Sequence, residues 1–162
     1  MALPNLPDSL HYIPLRARCE ADMAETLTIC GGCDLCGLRC TAGVPAAAHE
    51  WIDIQDFIES ATEEQRAEIA AVEAQSKTLS LGDGIEIEMC RYRDMEAGRC
   101  VVYPARPLVC RLLGHVEWMP CPVEKVPRTL PTPRALELMR AYSELDRRTF
   151  EQWEDLECQD RD

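Results

Sequence analysis

Cys30-Gly-Gly-Cys-Asp-Leu-Cys-Gly-Leu-Arg-Cys40 decides the reading of this chain: Cys30, Cys33, Cys36 and Cys40 stand in a C-x2-C-x2-C-x3-C run. Two residues between successive cysteines let a tight turn aim the sulfurs at one point. Gly31, Gly32 and Gly37 can supply the positive φ angles and the close backbone approach that such a wrap needs. Zinc sites usually combine separate C-x2-C pairs, whereas three thiolates in one uninterrupted turn suit the face of a cubane iron-sulfur cluster. The spacing therefore points to a metal and leans toward iron and sulfide. Disulfides are the competing reading, but Met1 to Glu20 shows no basic stretch ahead of an apolar one, so a secretory route is not expected and cytosolic thiols stay reduced. A thioredoxin-type dithiol fits less well, because no β-α-β pattern surrounds the run and the other cysteines would be unexplained.

Working outward, the 162 residues include ten Cys but only two Phe. A single domain over 1–162 is expected, with a cysteine-cluster core over about 28–123, and bound metal should supply part of its folding free energy. Seventeen Lys and Arg stand against 29 Asp and Glu, a formal net charge of −12. That field repels phosphate backbones and anionic lipid, so neither nucleic acid nor membrane is an expected partner. No apolar run approaches the roughly 18 residues a bilayer span requires, which makes the cytoplasm the expected location.

Before the cysteine turn, Pro4, Pro7 and Pro14 favour an extended arm, followed by a short helix over Arg16 to Thr26; Cys19 reads as a buried or free thiol. After the turn, Asp53 can cap a short helix with Ile54, Phe57 and Ile58 on its apolar side. Thr62 with Gln65 forms a capping-box signature for a helix to about Gln75, with Ile69 and Val72 inward. His49, with no Cys or His at helical spacing, reads as structural. Ile85, Ile87 and Met89 then alternate with Glu86 and Glu88 as in a half-buried strand. Asp94 to Gly98 would return the chain along Arg99 to Tyr103, making a hairpin that carries Cys90 and Cys100 on its two sides.

In the next stretch, Pro107 suits the first position of a helix and puts Cys110 in its first turn, where free backbone N–H groups can donate to sulfur. Four thiolates around zinc, or around an oxidised cubane, carry a net charge of about two minus, so a guanidinium nearby is favoured. Arg106 and Arg111 are the candidates. Cys121, flanked by Pro120 and Pro122, reads as a ligand on a rigid loop, and His115 as a core or surface residue. A C-terminal amphipathic helix over about 132–157 is expected, with Thr132 as N-cap, Pro133 at the first position, and Ala135, Leu138, Met139, Tyr142, Leu145, Thr149, Trp153 and Leu156 as one stripe. Phe150 and Trp153 offer a surface for a homodimer, and Cys158 reads as a free thiol.

The run Arg99-Cys100-x-x-Tyr103-x-x-Arg106-Pro107-x-x-Cys110-Arg111, together with Cys90 and the cysteine turn, resembles the YkgJ-type cysteine-cluster family, also described as the CxxCxxCC zinc- or iron-chelating domain. The resemblance covers Cys30 to about Cys121. It implies a metal-chelating cytosolic domain similar to one found in flagellin lysine methylases. The chain departs from the family in one place: adjacent cysteines end the family's first motif, whereas Gly37 follows Cys36 here and the fourth cysteine is displaced to Cys40. In bacterial ferredoxins of this spacing the fourth cysteine serves the other cluster. Cys30, Cys33, Cys36, Cys40, Cys90, Cys100, Cys110 and Cys121 thus divide into two sets of four, in one site or two.

No P-loop, G-x-G-x-x-G, H-E-x-x-H or G-x-S-x-G is present, which argues against the commonest phosphate, dinucleotide and hydrolase chemistries. The expected fold is small α+β, mainly helical and stapled by metal, with cysteine-rich loops and a short β-hairpin packed on helices. The expected function is metal binding. The favoured cofactor is a 4Fe-4S cluster on Cys30, Cys33, Cys36 and one cysteine from the Cys90 to Cys110 region, for electron transfer or as accessory to a redox or modifying enzyme. One or two zinc ions in an interaction module, or a component of a methylase-like or maturation enzyme, are the alternatives.

Overall fold

Glycine at the end of a helix sets where the cysteine turn begins. In the computed structural model, which describes residues 9–127 and 129–159, helix α1 spans Ser9–Asp22 and α2 spans Ala24–Cys30. Gly31, left-handed at φ 60°, stops α2 and donates its N–H to the Leu27 carbonyl, so Cys30 is the last helical residue. Pro14 lies inside α1 rather than in an extended arm. Helix-compatible residues continue on both sides, and Tyr12, Leu15, Cys19 and Met23 recur on one face and are buried, so packing outweighs the missing N–H of Pro14. Pro4 and Pro7 lie outside the described residues.

A short 3-10 turn, Leu35–Arg39, carries Cys36 and leads through strand β1 (Ala46–Ala47) into α3, Ala48–Ser60. Asp53 is mid-helix and caps nothing. The helix starts six residues earlier because Glu50 reaches back to the Ala47 N–H at 2.8 Å, a start signal made without a Ser or Thr. Helix α4, Glu63–Glu73, begins as the sequence indicates: Thr62 Oγ1 accepts from Gln65 N at 3.2 Å, Gln65 returns the bond, and Ile69 and Val72 are buried.

The hairpin forms one step earlier than expected. Strand β3, Ile85–Glu88, pairs antiparallel with β2, Thr78–Gly82, not with Arg99 to Tyr103, and Leu81 and Ile85 are exposed rather than half-buried. The Asp83-Gly84 turn, with φ of 50° and 75°, closes it. Asp94 to Gly98 does turn the chain back, through one bridge between Arg93 and Cys100. Helix α5, Leu108–Leu112, starts after Pro107 with Cys110 in its first turn, and β4 (His115–Val116) and β5 (Met119–Pro120) form a small hairpin before Cys121.

The C-terminal stripe is two helices, α6 (Thr132–Ser143) and α7 (Phe150–Gln159), separated by strand β6, Arg147–Arg148, which pairs with β1. Pro131, not Thr132, is the N-cap of α6. The break comes from Thr149 and Gln152, which exchange backbone bonds in a second T-x-x-Q capping box and restart the helix. Phe150 and Trp153 are buried, and Trp153 Nε1 donates to the Ala46 carbonyl at 2.9 Å.

Two cores result. One gathers α1, α5 and α6 around Leu108, Leu112, Leu138 and Tyr142; the other gathers α3, α4 and α7 around Trp51, Ile54, Tyr92 and Trp153. The cysteines from 36 to 121 lie along the seam between them. Among the described residues, no helix is long and apolar enough to cross a membrane.

Candidate metal centre

All ten cysteines carry free thiols. The eight singled out by the sequence separate by position and electrostatics into two groups. In the first, Cys30 closes α2 and its thiol donates to the Cys33 carbonyl at 3.7 Å. Cys36 donates to the Leu113 carbonyl at 3.5 Å, and its sulfur sits over Gly114, where a Cβ would lie 3.5 Å from Cys36 Sγ and 3.7 Å from Cys121 Cα. Burial pushes the Cys36 thiol up, the charge of Arg106 opposes this, and Cys30 and Cys121 add to the rise. Gly37 lets the turn dock at all: a Cβ there would stand 2.5 Å from the Gly98 carbonyl oxygen and 2.7 Å from the Arg99 carbonyl carbon.

Cys121 has its own anchorage. Partial burial would raise its thiol, but the backbone N–H groups of Val126, Val123, Lys125 and Glu124 together hold it below the usual thiol range. That arrangement stabilises a thiolate before any cation arrives.

The second group is Cys40, Cys90, Cys100 and Cys110. Backbone pairing brings the first two together, with Cys90 N donating to the Cys40 carbonyl at 3.2 Å and Ala42 N to Glu88 at 2.9 Å. The neighbouring Cys90 thiol chiefly, with burial and the charges of Cys110 and Cys100, drives Cys40 far up, and Cys40 in turn holds Cys90 down. Cys100 is pushed up to about 12 by burial and by Cys90, and Cys110 is raised by burial, Cys90 and Cys100. All four line one cavity of about 170 Å³, whose remaining wall is mainly apolar and includes Val44, Val102, Val109, Leu113 and Phe150. Cys36 and Arg106 line it as well.

Cys121 is a remote thiol beside Cys36, across Gly114, while Cys36 also lines the cavity with Cys90, Cys100 and Cys110, and Cys40 is joined to Cys90 by backbone pairing. The cause is nonlocal: residues 40–42 pair with 88–90, while β4 and β5 fold Cys121 back over the cysteine turn.

The two arginines also part. Arg106 is 6% exposed, stacks on Tyr103 with 3.9 Å to the ring centroid, shares the cavity wall with Cys36, and leaves its Nε without a partner. No carboxylate lies within ion-pair distance of it among the described residues. A buried guanidinium without a counter-ion is costly. Thiolates bound to a cation would supply that negative charge, so the donor set and this unpaired cation together fit a chelated metal. Arg111 faces elsewhere: its Nε donates to the Arg106 carbonyl at 3.0 Å and its Nη2 to the Pro104 carbonyl at 2.8 Å, clamping the loop that presents Arg106. Its guanidinium is thus held by the loop's own carbonyls.

Two contributors escaped the sequence reading. The Tyr103 hydroxyl lies 4.0 Å from Cys30 Sγ. Glu50, 1% exposed, accepts from the Leu108 N–H and the Tyr142 hydroxyl, each at 2.5 Å, as well as from Ala47, and so fixes the start of the helix bearing Cys110. Its only sequence signal, an acid three residues into a helix, lacks the preceding Ser or Thr. His115 is fully buried with Nδ1 2.8 Å from Thr26 Oγ1, His49 stacks on Tyr12, Cys19 is buried in the first core, and Cys158 is exposed.

As the side chains stand, no three Cys, His, Asp or Glu among the described residues converge closely enough to hold an ion; thiol rotations would have to draw each group in. Neither curated proteins nor solved structures give a match to the chain. A family model described as "Putative zinc- or iron-chelating domain" matches residues 30–159, a span that holds all eight of these cysteines, and the chain therefore belongs to the CxxCxxCC family of zinc- or iron-chelating domains.

Proposed function

We propose that the chain is a two-centre thiolate metalloprotein. Cys40, Cys90, Cys100 and Cys110 hold an iron-sulfur cluster of the 4Fe-4S type, while Cys30, Cys33, Cys36 and Cys121 close around a single zinc or iron ion that fixes the cysteine turn. The observation that carries the cluster is the cavity of about 170 Å³ lined by the second group. One ion bonded to four sulfurs at about 2.3 Å needs no such space. A cavity of about 150 Å³ is enough to take a benzene molecule. The apolar wall would keep water from the sulfides, and the cluster, when bound, supplies one-electron chemistry. The chain's own residues set its surroundings: Arg106 offsets negative charge and the start of α5 presents Cys110.

The split of the first group from Cys40 follows the ferredoxin pattern, in which the fourth cysteine of the run serves another centre. In this reading the protein passes electrons to, or is accessory to, a partner enzyme in a thiol-reducing compartment. Its net charge of −12 favours a partner with a basic face.

A second reading has its own observation. Cys40 and Cys90 are joined by a backbone hydrogen bond of 3.2 Å and line one cavity with Cys100 and Cys110, and tetrahedral Zn–S bonds of about 2.3 Å need sulfurs only about 3.8 Å apart. Zinc in both groups would make the chain an interaction module without chemistry.

Metal and acid-labile sulfide analysis of protein purified without oxygen separates these. The cluster reading expects about four iron and four sulfide per chain, plus one further ion. Two zinc ions and no sulfide would replace it with the module, and protein without bound metal would overturn both.

A further inference from the structure

Arg106 is the only arginine or lysine on the wall of the cavity besides Arg39, and Arg39 is exposed and donates to the Pro120 carbonyl at 3.0 Å. Arg106 shares the cavity wall with Cys36 of the first group and with Cys100 and Cys110 of the second. It is held by three features. Tyr103 lies under its face at 3.9 Å, Arg111 fixes its carbonyl at 3.0 Å, and Pro107 restricts the backbone that follows. With no carboxylate partner and its Nε unpartnered, it has no competing anion among the described residues.

From its burial, its place on the shared cavity wall and its lack of a carboxylate, we infer that Arg106 is a positioning residue common to both thiol groups, one cation that supports metal at two centres. This rests on the two-centre reading. Each centre with four thiolates around a divalent ion carries a net charge of about two minus, so a cation placed between them lowers the free energy of both loaded states and their mutual repulsion. The Arg106–Tyr103 stack also accounts for the arginine specifically, since a planar guanidinium can lie on the ring and still direct N–H groups at sulfur, which an ammonium cannot.

The test uses the full chain with one centre disabled at a time. Cys110→Ser leaves the first centre and Cys121→Ser leaves the second; cobalt(II) is titrated into each, followed by its thiolate charge-transfer absorption, with and without Arg106→Met. Loss of cobalt affinity of about tenfold or more in both backgrounds is expected, in the range typical of residues that orient metal ligands. Arg106→Lys, which keeps the charge but not the planar fork, should restore part of the loss in both. An unchanged affinity in either background would assign Arg106 to one centre and overturn the inference. Should a single-centre background fail to fold, stepwise titration of the otherwise native chain with Arg106→Met serves instead: both steps must weaken, and weakening of one alone overturns it. Failure of the native chain to take up a second cobalt would instead remove the two-centre reading itself.

Discussion

Stripping the metal is expected to unfold the seam of the molecule, and lowering the pH is expected to do the same. The cysteine loops from 30 to 45 and from 113 to 127 contain little regular structure, and the thiols gathered around them repel one another once ionised. Structural zinc contributes on the order of 10 kcal/mol or more where four thiolates close around it. That exceeds much of the roughly 5–15 kcal/mol stability of an ordinary domain. Metal binding must also displace protons, because burial and neighbouring sulfurs hold Cys40, Cys100 and Cys110 above the usual thiol range. These thiols are protonated in the metal-free chain at neutral pH, so metal affinity rises with pH and falls as protons compete below it. Calorimetric titration in buffers of different ionisation enthalpy should show proton release on loading, and circular dichroism should show loss of helix on chelation. A chain that keeps its full helical signal and melting temperature after complete metal removal would refute this.

Glu50→Ala is expected to be the most damaging substitution outside the cysteines. The carboxylate joins three elements, taking bonds from Ala47 N before α3, Leu108 N at the start of α5, and Tyr142 in α6. Removing it leaves two buried backbone N–H groups with no acceptor and a hydroxyl that keeps only the Pro45 carbonyl at 3.0 Å. Each buried orphan costs about 1–3 kcal/mol, which puts the total near 3–5 kcal/mol. In a chain of this length that corresponds to a drop of roughly 10 °C in melting temperature. Glu50→Gln should fall between the two, since its amide can accept one of the bonds but brings a donor against another. Thermal unfolding of metal-loaded protein checks the order native, Gln, Ala; a loss under about 1 kcal/mol for Ala would show that the carboxylate is not a joint of the fold.

Features carried by neighbours in sequence were legible, and those carried by distant pairing were not. The Thr62–Gln65 box and the placement of Cys110 just after Pro107 depend on a few adjacent residues. The same T-x-x-Q signal stands at Thr149 and was masked by the continuous apolar stripe, because period alone does not reveal that β6 must peel away to pair with Ala46 and Ala47. Ile85 and Ile87 gave the strand, but the choice between Leu79 and the Arg99 to Tyr103 segment as partner is decided by the Asp83-Gly84 turn. Eight candidate ligands were evident from spacing and from the Arg99 to Arg111 run. Their sorting was not, since Cys40 meets Cys90 through the pairing of Thr41 with Met89, and Cys121 reaches Cys36 across Gly114. Arg106 and Arg111 look equivalent in sequence, yet backbone carbonyls at Pro104 and Arg106 capture the second.

Native mass spectrometry of Cys121→Ser and Cys110→Ser, each expressed and purified without oxygen, tests the division into two groups most directly. The account predicts that Cys121→Ser loses the single ion and keeps the iron and sulfide, while Cys110→Ser loses the iron and sulfide and keeps the single ion. Loss of the same metal from both variants would contradict it and restore one shared site.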